Sequence, residues 1–128
     1  MRRAIELRRL NFYDNDISEL DLNKNTALTG FICRGTQLTK LDFRNNPALK
    51  YLDCFENQLT GLDVSNNSSL ESLRCYRNNM SADALNTLLR TLPNNPGYIN
   101  ISENPGIKDC DTSIAKEKGW HVVAFYYE

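Results

Sequence analysis

The chain has 128 residues, the size of one domain, with 15 Lys plus Arg against 16 Asp plus Glu. That balance lacks the basic excess needed to neutralise many phosphates, so no nucleic-acid partner is expected, and with no run of about 18 apolar residues no membrane insertion is expected either. The opening MRRAIELRRL carries no apolar stretch of about 7–15 residues and no small-residue cleavage site. It does not read as a secretory signal, which leaves an intracellular protein or one whose leader precedes this numbering.

The first four elements are copies of one another. Leu7, Leu28, Leu49 and Leu70 stand 21 residues apart, and so do Leu10, Phe31, Leu52 and Leu73. A third column is Phe12, Cys33, Cys54, Cys75, and a fourth is Ile17, Leu38, Leu59, Met80. Between these last two lie Asn15, Thr36, Asn57 and Asn78; the second half of each unit repeats as Leu20, Leu41, Leu62, then Leu22, Phe43, Val64, then Asn25, Asn46, Asn67. Within a unit such as LKYLDCFEN, apolar residues two apart mark a short strand with one buried side. One unit cannot bury that side alone, so stacking in a parallel sheet is expected, each column becoming an apolar ladder. A buried amide at the strand exit both donates to and accepts from loop backbone, and Thr36, with fewer hydrogen-bonding groups, is expected to leave a local weakness.

After Met80 the spacing changes. SADALNTLLRTLP predicts an amphipathic helix with a serine cap, apolar Leu85, Leu88, Leu89 and Leu92, and a proline stop. YINISENPG reads as a fifth strand, with Ile99 and Ile101 inward and Asn104 in the asparagine place. Asp111 is then expected to cap a short helix through about Lys118, ended by Gly119, before a final apolar strand WHVVAFYY.

The LxxLxLxxN units resemble the leucine-rich-repeat family, and LTGLDVSNNSSLESLRCYRNNM is similar to the 21-residue variety common in secreted and surface proteins of Bacteroidetes-type bacteria. The segment YINISENPGIKDCDTSIAKEKGWHVV resembles the closing cap of such proteins. The resemblance implies an α/β solenoid: a right-handed coil with a parallel sheet on its concave face, a mostly non-helical convex side and a C-terminal helix and strand cap. It implies one domain over 1–128, with repeats at about 7–27, 28–48, 49–69 and 70–92 and the closing strand and cap at about 93–128. It also implies a secreted or cell-surface bacterial protein. Only Met1 to Glu6 precede the first rung, too little to cover it, so either further repeats precede the chain or the open end pairs with another copy.

Little here promises catalysis. The chain has one histidine, His121, expected to be a solvent-facing or hydrogen-bonded strand residue rather than a base. Cys33, Cys54 and Cys75, in the inward column, read as free buried thiols, and Cys110 is expected to be buried in the cap. The close cysteine pairs of a zinc site are absent. Asp21, Asp42 and Asp63 form a column for which hydrogen bonding to loop backbone is preferred over calcium. No cofactor and no metal are expected.

The residues between the buried columns face outward. Arg9, Gly30, Tyr51 and Ser72 precede the middle ladder, and Asn11, Ile32, Asp53 and Arg74 follow it. Past the third ladder come Tyr13, Arg34, Phe55 and Tyr76, where the resembling repeats commonly carry serine, and then Asp14, Gly35, Glu56 and Arg77. Tyrosine and arginine concentrate at binding hot spots. Tyr13, Arg34, Tyr51, Phe55, Arg74 and Tyr76 are therefore the expected contact residues of a non-catalytic module that binds protein or peptide on its concave face. Serine at Phe55 and Tyr76 should then leave melting nearly unchanged. Three alternatives stand beside this: a glycan ligand, stacking of the stripe for stability alone, and a structural fragment that self-associates through its uncapped N-terminal end.

Overall fold

The computed structural model describes residues 7–14 and 16–126. Asn15 and the segment Met1 to Glu6 lie outside the described residues. Six strands form one parallel sheet in sequence order: β1 Arg9–Tyr13, β2 Gly30–Arg34, β3 Tyr51–Asp53, β4 Ser72–Arg74, β5 Gly97–Asn100 and β6 Trp120–Val123. The first four pair in the 21-residue register, Leu10 against Phe31, Phe31 against Leu52 and Leu52 against Leu73, and β5 continues it with Ile99. The ladder extends past the short strands, since the N–H of Cys54 donates to Arg74 O at 2.8 Å and that of Cys75 to Asn100 O at 3.0 Å.

The columns are the core. Leu28, Leu49, Leu70, Phe31, Leu73, Ile99, Cys33, Cys54, Cys75, Ile101, Leu38, Leu59 and Met80 have no exposed surface, and Phe43 closes edge-on over Phe31 with ring centroids 5.4 Å apart. Burial pushes the Cys75 thiol up to about 12 and the Cys54 thiol well above its ordinary value, so these sulfurs are neutral and inert. The first coil is the least covered: Leu7 is 37% exposed, and Leu10 and Phe12 are half-buried.

The asparagine ladder ties each coil to the one before it. Asn78 Nδ2 donates to the carbonyls of Cys54 and Cys75, both at 3.0 Å, while its Oδ1 accepts from Leu59 N at 3.0 Å. Asn104 repeats this with Cys75 O, Ile101 O and Met80 N, and Asn57 donates to Cys33 O and Cys54 O. Thr36 instead gives its N–H and its hydroxyl to Asn57 Oδ1. The bond back to Phe12 O that an amide there would make is absent, which places the expected weak point between the first two coils. On the opposite turn, Asn46 Nδ2 reaches Asn25 O at 2.8 Å and Asn67 Nδ2 reaches Asn46 O at 2.9 Å.

Among the described residues the first three coils carry no helix. α1, Ala82–Thr91, has Ser81 accepting from Ala84 N at 3.1 Å and buries Leu85, Leu88 and Leu89. Its last carbonyls are bound by Lys118, whose Nζ donates to Leu92 O at 2.8 Å, and Trp120 Nε1 donates to Pro93 O at 2.8 Å. Gly106 lets the chain pass close to the start of α1, because a Cβ there would sit 2.0 Å from Ala82 N.

Three local expectations are corrected. The second helix, α2, spans only Ser113–Lys116 and is preceded by Thr112; the Asp111 carboxylate serves as a turn acceptor for Ser113 N at 3.0 Å. The final strand stops at Val123, and Phe125 and Tyr126 are exposed even though the Glu103 N–H donates to Phe125 O at 2.9 Å. Cys110 is half-buried, not buried.

Candidate functional site

Every coil leaves the sheet through one residue in the left-handed region: Asp14 (φ 49°), Gly35 (65°), Glu56 (57°), Arg77 (57°) and Glu103 (55°). A non-glycine residue held there is strained, and the strain recurs because the turn must aim the ladder asparagine inward. At Gly35 a Cβ would lie 2.3 Å from Asp14 Oδ1, so glycine is the residue that fits. This turn fixes the direction of the residue just before it, which is Tyr13, Arg34, Phe55 or Tyr76.

Those four form one continuous stack on the solvent face of the sheet. The Arg34 guanidinium lies 6.0 Å from the Tyr13 ring centre and 5.5 Å from that of Phe55, and Phe55 stacks on Tyr76 at 4.5 Å with 8° between planes. Stacking at this range and cation–π contact stabilise the row itself. The members differ in what they leave uncovered. Phe55, between Arg34 and Tyr76, is only 9% exposed, whereas Tyr13 is 49% exposed. Serine at Phe55 would therefore open a gap in the row, and the expectation that melting would stay nearly unchanged does not suit that position.

Tyr51 stands apart from the stack, 50% exposed, in the column that runs Arg9, Gly30, Tyr51, Ser72, Tyr98, His121. Arg74 lies beside that column, 5.6 Å from the Tyr98 ring, with Asp53 Oδ2 3.8 Å from its Nη1. Tyr98 and His121 continue the aromatic surface, their rings 6.0 Å apart. Sequence reading missed Tyr98 as a surface member; the signal was the alternation YINI, which puts Tyr98 on the outward step beside inward Ile99. Burial raises the Asp53 carboxyl to about 6, against the lowering effect of the Arg74 charge and the Phe55 N–H. Beyond the stack, Arg77 bridges coils, with Nε 2.6 Å from Glu103 Oε2 and Nη1 3.2 Å from Glu56 Oε1.

A hollow of about 560 Å³ lies on the turn side, lined by Lys40, Asp42, Arg44, Asp63 and Thr87 among others. Its carboxylates are engaged by backbone: Asp42 Oδ1 accepts from Arg44 N at 3.0 Å and Asp63 Oδ1 from Ser65 N at 2.8 Å, as Asp21 Oδ1 does from Asn23 N at 2.9 Å. Among the described residues no group of three or more His, Cys, Asp or Glu side chains is placed to hold a metal ion. His121 is exposed, with Tyr98 as its ring neighbour.

Neither protein-family models nor curated proteins match the chain. Solved structures do. The functional domain of InlJ from Listeria monocytogenes, which includes a cysteine ladder, is 27% identical with a TM-score of 0.72 over 92% of this chain. The internalins InlF and InlC2 of the same organism are 20% and 21% identical, with TM-scores of 0.76 and 0.73 over 95% and 93% of this chain. The chain spans 25%, 36% and 52% of those three chains. Internalins are leucine-rich-repeat proteins; in this chain Cys33, Cys54 and Cys75 occupy equivalent buried positions on successive coils as free thiols. With the 21-residue register, the asparagine ladder and the parallel sheet in strand order, the fold is a leucine-rich-repeat solenoid of the internalin kind.

Proposed function

We propose that the chain is a non-catalytic interaction module of a bacterial surface or secreted protein, of the 21-residue repeat type found in Bacteroidetes-type bacteria, and that it binds a protein or peptide across the solvent face of its sheet. Tyr13, Arg34, Tyr51, Phe55, Arg74 and Tyr76 form the contact surface, in two roles. Phe55 and Tyr76 with Arg34 make a rigid platform, and Tyr13, Tyr51 and Arg74 are the groups it presents. The observation that carries the reading is the exposure of Tyr13 and Tyr51, at 49% and 50%. Neither ring adds to the core, and both offer large contact area at low entropic cost.

The test is the double variant Tyr13→Ser, Tyr51→Ser probed on peptide and glycan arrays beside the parent chain. Loss of peptide binding with an unchanged melting temperature supports the reading. Binding confined to the glycan array would replace peptide by sugar as the ligand, and peptide binding that survives both substitutions would remove the solvent face from consideration.

A further inference from the structure

We propose that a notch over Gly30 takes one apolar side chain of an acidic peptide while Arg34, two residues along β2 from the notch residue Ile32, holds the neighbouring carboxylate. The proposal rests on the reading of the solvent face as the binding surface and adds the chemistry of the ligand.

Gly30 begins β2 in the row between Arg9 and Tyr51. Its φ is not in the left-handed region, where only Gly35 and Gly119 fall among the glycines, and a Cβ there would meet nothing closer than Arg9 Cγ at 3.6 Å, an ordinary contact. Glycine in a strand loses packing and conformational entropy, so at this place it gives the fold nothing that a larger residue would not. What it leaves is space: a hollow of about 190 Å³ lined by Arg9, Asn11, Gly30, Ile32 and Tyr51. Its floor is the half-buried, outward-facing Ile32, and its wall is the half-exposed Tyr51 ring. A whole small molecule commonly occupies about 300–1,000 Å³, so this hollow suits a single side chain.

The charge beside the notch selects the rest of the ligand. The ion pairs of the described residues engage Arg44, Arg74 and Arg77, not Arg9 or Arg34. Arg34 Nε is buried without a hydrogen-bond partner, and although its charge reaches Asp53, no bond joins the two. A guanidinium packed between the rings of Tyr13 and Phe55 is fixed in orientation, which favours forked binding of a carboxylate. A neutral sugar would leave the Arg34 charge unanswered. A peptide with an acidic residue next to a phenylalanine or leucine answers that charge and fills the notch.

The experiment is a ¹⁵N NMR titration of the full chain with three capped peptides: one with Glu beside Phe, one with Gln in place of that Glu, and one with Ser in place of that Phe. The first is expected to move the resonances of Gly30, Ile32 and the Arg34 Nε–H, and each altered peptide to bind at least about ten-fold more weakly. Gly30→Val, whose Cβ meets only the Arg9 side chain at 3.6 Å, should fold normally and lose the same factor for the Glu-Phe peptide; Arg34→Gln should bind the Glu and Gln peptides alike. Equal affinity for all three peptides, or full affinity in Gly30→Val, overturns the notch while leaving the solvent face as a binding surface if its resonances still move. No movement with any peptide, and movement at these residues with a neutral hexasaccharide, overturns both readings in favour of sugar.

Discussion

Replacing Asp53 by Asn should stabilise the protein at neutral pH, and by an amount that grows with pH. Asp53 sits on the second outward column with its Oδ1 buried and without a partner, and the Arg74 Nη1 is 3.8 Å from its Oδ2, too long for a strong hydrogen bond. Burial therefore outweighs the Arg74 charge and lifts the carboxyl from 3.8 to about 6. A carboxyl whose folded value is raised contributes its stability fully below the unfolded value, and loses it as pH rises through the folded one. The shift corresponds to about 3 kcal/mol at most. Arg74 is 51% exposed and Asp53 17%, so solvent screening reduces the effect to about 1–2 kcal/mol. Urea unfolding of Asp53→Asn and the parent at several pH values reads this directly. The advantage of the variant should be small at about pH 4 and reach about 1–2 kcal/mol by about pH 7, most of it gained between about pH 4 and pH 6. A constant gap, or a parent chain that gains on the variant as pH rises, would mean that the ion pair with Arg74 prevails over burial and would refute the reasoning.

Asn78→Ala leaves Leu59 N without its partner and Cys54 O and Cys75 O with only Asn57 and Asn104 as side-chain donors; at about 1–3 kcal/mol for the orphaned N–H and about 0.5–1.5 kcal/mol for each lost bond, chemical denaturation should show a loss of about 2–6 kcal/mol. Thr36→Asn supplies the missing amide toward Phe12 O and should gain about 1 kcal/mol in the same assay. Phe55→Ser, at the centre of the stack, should cost about 3 kcal/mol, and Tyr76→Ser, stacked on one side and less buried, about 1 kcal/mol; equal small effects in thermal melts would show that the stack contributes little. On the acid side, hydrogen bonds to Arg44 and Ser65 hold Asp42 and Asp63 below the usual carboxylate range. Their contribution is present above 3.8 and lost as pH falls through the lowered values, so a double Asn variant should flatten the decline of stability in acid titrations followed by circular dichroism.

The repeat was legible because its causes are periodic. A parallel ladder needs the same residue type at the same step of every coil, and Leu28, Leu49 and Leu70, the cysteines and the asparagines announce that step without reference to anything distant. The helix at Ser81 to Leu92 was equally plain, for its cap and apolar spacing are local. The ends of the last elements were not: Asp111 and Thr112 are both plausible caps, and whether Phe125 extends β6 depends on what lies beside it. The recurrent left-handed residue was hidden too, since Asp14, Glu56, Arg77 and Glu103 are ordinary in sequence and only Gly35 hinted at the turn.

For the candidate site, the sequence by itself determined which residues face away from the core, because alternation about the ladder decides that for each strand. It named Tyr13, Arg34, Phe55 and Tyr76 as neighbours through the 21-residue register. Tertiary structure alone decided how they share the surface: that Phe55 lies between Arg34 and Tyr76 and is nearly buried, that Tyr51 stands free over a gap left by Gly30, and that Asp53 is withdrawn from water beside Arg74. Periodicity specifies the direction of a side chain, whereas its exposure, partners and charge state follow from the shapes and charges on the adjacent coils, which no single repeat contains.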